Sequence, residues 1–264
     1  MASELDNIEL RPARRRFLQG TAALATTLIA PGVLLYKTGQ AQSTNEGTNA
    51  AGTDNKDRPT TPRWGLLIDT NALSEADVDA CVTACQNEHG WSSDAGSTTD
   101  AQWIRKVHLS DKQSGHETVL PMMCQHCADP PCVDVCPTGA SFKRPDGIVL
   151  VNKHTCIGCR YCMMACPYKA RSFIHEALQD QLAVAPRGKG TVESCTLCVH
   201  RIDQDGANAV PACAEAVNRG GRKAILFGDL NDPDSEISQK AKSYGATRLR
   251  ADLGVDPGVR YQGL

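Results

Sequence analysis

Aromatic side chains make up only 5% of this 264-residue chain. Large rings supply much of the buried area of an ordinary core, so side-chain packing alone leaves a chain of this length weakly held. Charge of one sign is also missing: 28 Lys and Arg stand against 30 Asp and Glu, a formal net charge of -2. With no basic stripe and no Lys/Arg patch interleaved with aromatics, nucleic acid is excluded as an expected partner. Beyond Tyr36 no apolar run is long enough to span a bilayer. A phosphate-binding glycine loop and a nucleophile-base pattern are absent too, which leaves no motif for bond-making chemistry.

What is abundant is cysteine, 13 residues. Two segments, "CQHCADPPCVDVCP" (124–137) and "CIGCRYCMMACP" (156–167), are versions of one unit: three clustered cysteines, a fourth after three more residues, then proline. An internal repeat of this kind means two copies of a supersecondary unit packed together. Three thiols in a tight loop can grip three corners of one iron-sulfur cubane. The fourth, expected at the start of a helix opened by Pro137 or Pro167, reaches the other cubane in the two-cluster ferredoxin arrangement. The crossed assignment is Cys124, Cys127, Cys132 with Cys166 (cluster A), and Cys156, Cys159, Cys162 with Cys136 (cluster B).

Five cysteines remain. "CTLC" (195–198) begins a third triple that Cys213 completes after a 14-residue insertion, and the position four beyond is Val217. By the crossing rule this triple needs a thiol from elsewhere, and "VDACVTACQNEHG" (78–90) offers Cys81 and Cys85. Counting back from Cys85 at ferredoxin spacing gives Cys81, Val78 and Glu75 where three ligands would stand. Positions 75, 78 and 217 would all serve one cluster, so that cluster is lost and Cys81 is its orphan. Cys85 then completes cluster C with Cys195, Cys198 and Cys213. Three [4Fe-4S] clusters are therefore expected, with [3Fe-4S] the alternative at C. Zinc prefers two separated pairs of thiolates and suits these triples poorly. Disulfides alone would scramble between neighbouring CxxC thiols. His126 reads as a packed histidine or a donor to a ligand. Arg160, Lys169 and Arg171 read either as charges that raise reduction potential or as solvated surface. Met163 and Met164 are expected against a cubane wall.

The amino-terminal region reads as a targeting segment, 1–41. "RPARRRFLQG" precedes an uncharged apolar stretch from Gly20 to Tyr36, and Gly39 and Ala41 supply the small residues a signal peptidase accepts. Arg14 and Arg15 with Phe17 and Leu18 match the twin-arginine export pattern. A stretch of about 17 residues is at the lower limit for crossing a bilayer, so cleavage is expected and an anchor is the alternative. Residues 42–63 are polar and Gly- and Thr-rich, a flexible linker. Strands are expected over 64–69, 102–110 and 224–230, the last of the chain. A hairpin is expected over 140–151, and helices over 74–88, opened by Ser74 with Asp77 in a capping box, and over 234–242, followed by an irregular tail. The fold class is α+β: two interlocked ferredoxin-like modules, an outer one (64–120 and 172–264) carrying one cluster and an inner one (121–171) carrying two.

"CQHCADPPCVDVCPTGA" (124–140), "CIGCRYCMMACPYKAR" (156–171) and "CTLCVHRID" with "PACAEA" (195–216) resemble the ferredoxin-type electron-transfer subunits of membrane-associated bacterial oxidoreductases. These are the four-cluster beta chains of formate dehydrogenases, dimethyl sulfoxide reductases and polysulfide reductases. The lost cluster is the departure from that pattern. With the export signal it makes the chain most similar to the DsrO family, the periplasmic iron-sulfur subunits of the DsrMKJOP complex of sulfur metabolism. The resemblance implies a periplasmic, non-catalytic electron relay held at the membrane by its partners. Those partners would be a quinone-interacting membrane subunit of the NrfD type and a multihaem cytochrome c. The alternatives are the beta chain of a molybdenum sulfur-compound reductase, or an enzyme that reduces a sulfur compound at a labile cluster.

Overall fold

Strand β1 (Trp64–Asp69) carries no charge before its last residue and is buried on both faces from Trp64 to Ile68. It is the middle strand of a three-stranded sheet, antiparallel to β8 (Ile225–Asp229) and parallel to β9 (Val259–Gln262). The computed structural model describes residues 61–93, 99–110, 112–113, 115–179 and 181–264. The targeting segment expected over 1–41 lies outside these residues, as does the linker expected over 42–63 apart from its last three. Arg63, placed in that linker, is part of the fold: its amide donates to Asp229 at 2.7 Å and its guanidinium to Asp256 at 2.6 Å.

Helix α1 (Glu75–His89) begins where Ser74 and Asp77 satisfy each other's backbone amides in a capping box, and ends at Gly90 in the left-handed conformation. Its buried residues Val78, Cys81, Cys85 and His89 fall at helical spacing on one face. That face packs on α5 (Ala212–Val217). Strand β2 (Ile104–Ser110) pairs with β3 (Glu117–Met123), a strand the sequence does not announce, since Pro121 interrupts its pattern. The expected hairpin is β4 (Ser141–Lys143) with β5 (Val149–Val151), and β6 (Ser172–Phe173) pairs with β7 (Val192–Glu193). Helix α4 (Val199–Asp205) follows the third cysteine loop, and α6 (Glu236–Ser243) takes Ser235 as its N-cap.

Two expectations are corrected here. The chain does not end in an irregular tail after β8, because β9 returns to β1 through backbone pairing that leaves little trace in four residues. Nor do Cys136 and Cys166 open helices. The short helices α2 (Pro131–Asp134) and α3 (Tyr161–Ala165) come before them, and Cys166 is extended at φ -72°, ψ 112°. The proline that follows each cysteine disfavours helical backbone at the preceding residue, so Cys-Pro stops a helix here.

Candidate metal centres

The two copies of the repeat come together through their thiols. One cleft is lined by Cys124, Cys127, Cys132 and Cys166, with Tyr168 and Arg171. A second is lined by Cys136, Cys156, Cys159 and Cys162, with Ser141 and Arg160. Each takes three thiols from one copy and the fourth from the other. The loops manage this with left-handed residues, His126 (φ 44°) in the first and Gly158 (φ 71°) with Arg160 (φ 64°) in the second. Gly158 is also required sterically, since a Cβ there would meet Gly190 O. The first loop is stapled from outside by the carboxyl-terminal segment. Ala128 and Asp129 donate to Asp256 O and Val255 O, and Gly258 donates to Gln125 O at 2.7 Å.

A third set of thiols is assembled from three elements. Cys85 lies on α1, Cys195 and Cys198 in the loop before α4, and Cys213 on α5, all buried. Cys85 interacts electrostatically with Cys195, Cys198 and Cys213. Leu197 and Cys198 adopt left-handed conformations at φ 57° and 51° to turn the loop. The elements are clamped by Glu88 at the end of α1, which receives Arg201 Nε at 2.6 Å and Nη2 at 2.7 Å, with His200 Nε2 2.7 Å away. Arg201 also reaches Glu215 on α5 at 2.7 Å. Cys81, one turn before Cys85, points its Sγ at Cys213 O, 3.8 Å away.

The positions read as a lost cluster are filled by ordinary packing. Val78 and Val217 are fully buried, while Glu75 is exposed beside Lys106. Arg222 bridges Asp77 to Val217 O across the two helices.

Donors converge on the sulfurs. Ser141 N–H donates to Cys136 at 3.3 Å, Ala170 N–H to Cys166 at 3.5 Å, Leu197 N–H to Cys195 at 3.4 Å and Ala212 N–H to Cys198 at 3.4 Å. Trp91 Nε1 donates to Cys85 at 3.2 Å, a donor no spacing rule could have revealed. Burial pushes the thiols of Cys124, Cys127, Cys198 and Cys213 up to about 12. Cys136 goes the other way: burial raises it, but donors from Ser141, Thr138 and Ala140 prevail and hold it below the ordinary thiol range. A ligand that binds the buried thiols as thiolates must therefore bring positive charge, as iron does.

Two buried polar groups point the same way. Val149 N–H donates to His126 Nδ1 at 3.0 Å, which leaves the proton on Nε2, and that atom has no partner. Burial, then Arg171, push His126 down to about 3, so it is neutral. All three guanidinium nitrogens of Arg171 are buried with no oxygen or nitrogen acceptor, and the side chain is set against the Cys162 sulfur. Groups of this kind are costly unless something anionic answers them. Among the described residues no three His, Cys, Asp or Glu side chains stand close enough to hold a single ion, and all thirteen cysteines are free of disulfides. Quartets of thiols spread around clefts, with amide donors to sulfur and orphaned cationic or N–H groups beside them, fit a polynuclear iron-sulfur group. They do not fit one zinc ion.

Of the other residues singled out in the sequence, Met163 packs with Cys132 and Cys162, whereas Met164 is 67% exposed and lines no wall. Arg160 stacks on Phe173, Lys169 is exposed and Arg171 is buried.

The model of the 4Fe-4S dicluster domain matches residues 116–228. Among relatives, the Hdr-like menaquinol oxidoreductase iron-sulfur subunit 1 of Archaeoglobus fulgidus is 38% identical over 96% of this chain and 98% of its own. A subunit of the tetrathionate reductase of Salmonella typhimurium is 36% identical over 76% of this chain and 73% of its own. The menaquinone reductase iron-sulfur cluster-binding subunit of Nitratidesulfovibrio vulgaris is 33% identical over 75% and 88%. With its cysteine repeats, its thiol-lined clefts and this similarity along nearly its whole length, the chain belongs to the family of 4Fe-4S iron-sulfur electron-transfer subunits.

Proposed function

We propose that this subunit holds three [4Fe-4S] clusters in series. Cluster A would be held by Cys124, Cys127, Cys132 and Cys166, cluster B by Cys136, Cys156, Cys159 and Cys162, and cluster C by Cys85, Cys195, Cys198 and Cys213. The observation that carries the reading is the meeting of Cys85, from the amino-terminal helix, with the carboxyl-terminal trio. Bound clusters supply one-electron couples. The chain's own residues fix the sulfurs, donate to several of them and bury the thiols of A and C, while exposed Cys159 leaves B open to solvent at one corner.

Electrons pass, in this reading, between a quinone-interacting membrane subunit and a periplasmic multihaem cytochrome c, as in the DsrO type of subunit. The menaquinol and menaquinone names of two relatives support the quinone side. The twin-arginine pattern at Arg14 and Arg15 supports export of a folded, cluster-loaded protein to the periplasm. Similarity to a tetrathionate reductase chain supports a second reading, the beta chain of a sulfur-compound reductase.

Iron and acid-labile sulfide determination with EPR on the anaerobically purified chain tests the assignment. About twelve irons per chain are expected from three cubanes; about eight would remove cluster C. Co-purification from membranes separates the two partner readings. A membrane subunit and a cytochrome are expected, and a molybdenum-containing subunit in their place would favour the second.

A further inference from the structure

Arg171 is 5% exposed, and among the described residues no oxygen or nitrogen accepts from its Nε, Nη1 or Nη2. What it faces is sulfur: its electrostatic partners are Cys132, Cys124 and Cys162. The first two belong to the quartet assigned to cluster A and the third to the quartet assigned to cluster B. It also lines the first cleft. No thiol of the third quartet is among these partners. A guanidinium never loses its proton in a protein, and this one lies where neither water nor salt screens it.

We propose that Arg171 is a potential-setting cation shared by the two inner clusters, whose net negative charge is its counter-charge. This rests on the cluster assignment proposed above. Adding an electron makes a cluster more negative, and a fixed positive charge beside it favours that state. Arg171 therefore raises the reduction potential of clusters A and B together and leaves C alone. Each inner cluster accepts one electron with no proton from Arg171, which stays charged throughout. The planar, weakly hydrated guanidinium suits a site bordered by sulfur on two sides better than a compact ammonium would.

The test is an EPR-monitored redox titration of the anaerobically purified holoprotein and its Arg171→Gln and Arg171→Lys variants, with iron and sulfide measured on each. Lys169→Gln is the control, a neighbouring cation that is exposed. In Arg171→Gln both inner clusters are expected to become at least tenfold harder to reduce, about 59 mV for one electron. Cluster C and the Lys169→Gln protein should titrate as the parent does. Unchanged inner potentials in a fully loaded Arg171→Gln protein overturn the proposal, and so does an equal drop at all three clusters. If Arg171→Gln loses iron, Arg171→Lys decides. Retained clusters at near-parental potential support a charge requirement, and loss in both variants makes the residue structural, which overturns it. A parent protein with fewer than about eight irons instead sinks the assignment beneath it, so the two failures are distinguishable.

Discussion

Cys81 and Cys85 stand one helical turn apart on the same buried face of α1, and both approach Cys213, but of the two it is Cys85 that also interacts with Cys195 and Cys198. Cys85 interacts with all three thiols of the carboxyl-terminal trio and takes a hydrogen bond from Trp91. Cys81 points its Sγ at the backbone O of Cys213, and neither Cys195 nor Cys198 is among its electrostatic partners. Cys85→Ala is therefore expected to lower the iron content by about a third, or by less if a three-iron form survives. Cys81→Ala should leave it unchanged and cost about 1 kcal/mol in stability. Iron determination on both proteins checks this, and equal losses would refute the distinction. Residues of this kind are legible in sequence because ligand spacing is a geometric requirement that shows directly in the numbering. Arg171 is not. A charged side chain is almost always exposed, and only the folded chain shows that this one is buried while Lys169, two residues earlier, is not.

The elements were readable where local physics decides them. Helix α1 has a capping box, one apolar face and a glycine stop, all visible in the sequence. Strand β9 has none of these: its four residues become a strand only because β1 offers a free edge, and a long-range pairing leaves no local signature. The β1–β9 join is tight, since a Cβ on Gly65 would collide with Gly258 O and Leu230 Cδ1. Gly258 in turn donates to Gln125 O in the first cysteine loop. Gly65→Ala must push backbone from backbone, with an expected cost of about 2–4 kcal/mol. It should also broaden the EPR signal of cluster A before that of cluster C. A melting curve and spectrum like the parent's would show that the join carries no such load.

At the same scale, Glu88 joins α1 to α4. The hydrogen bonds from Arg201, against burial and with help from His200, hold its carboxyl down to about 2. A carboxylate depressed on folding adds stability that is complete above its unfolded value, near 4.5, and is lost as pH falls through about 2. Its partners are partly exposed, so the clamp is worth about 1 kcal/mol. Glu88→Gln is expected to cost about that much at pH 7 and low ionic strength and less in about 1 M salt, measured by denaturant titration of the cluster-loaded protein at the two ionic strengths. A penalty that does not shrink in salt would mean the pairing with Arg201 is not its source.

For the whole molecule, the scarcity of aromatics and the wealth of cysteine are two sides of one design. Cys85, Cys124, Cys127, Cys166, Cys195 and Cys213 belong to the main core alongside Trp64, Trp91 and Trp103, so apolar packing converges on the thiol sites. The elements that close the fold do so between its two ends: β1 pairs with β8 and β9, and α1 packs on α5. The cysteine loops between them are held open by left-handed residues, and burial keeps the Cys124 and Cys198 thiols protonated. Removing the clusters leaves those loops with cavities, an unanswered guanidinium at Arg171 and an unpaired N–H at His126. Binding free energy of a metal group held only by the folded chain is folding free energy. Stripping iron with an oxidant and chelator is therefore expected to abolish the cooperative melt of the 64–264 region, not merely to lower its midpoint. Near-UV circular dichroism and tryptophan fluorescence of the stripped protein report it through Trp91 and Trp103. A stripped chain that still melts sharply near the temperature of the loaded one would show that the apolar core suffices without its inorganic part.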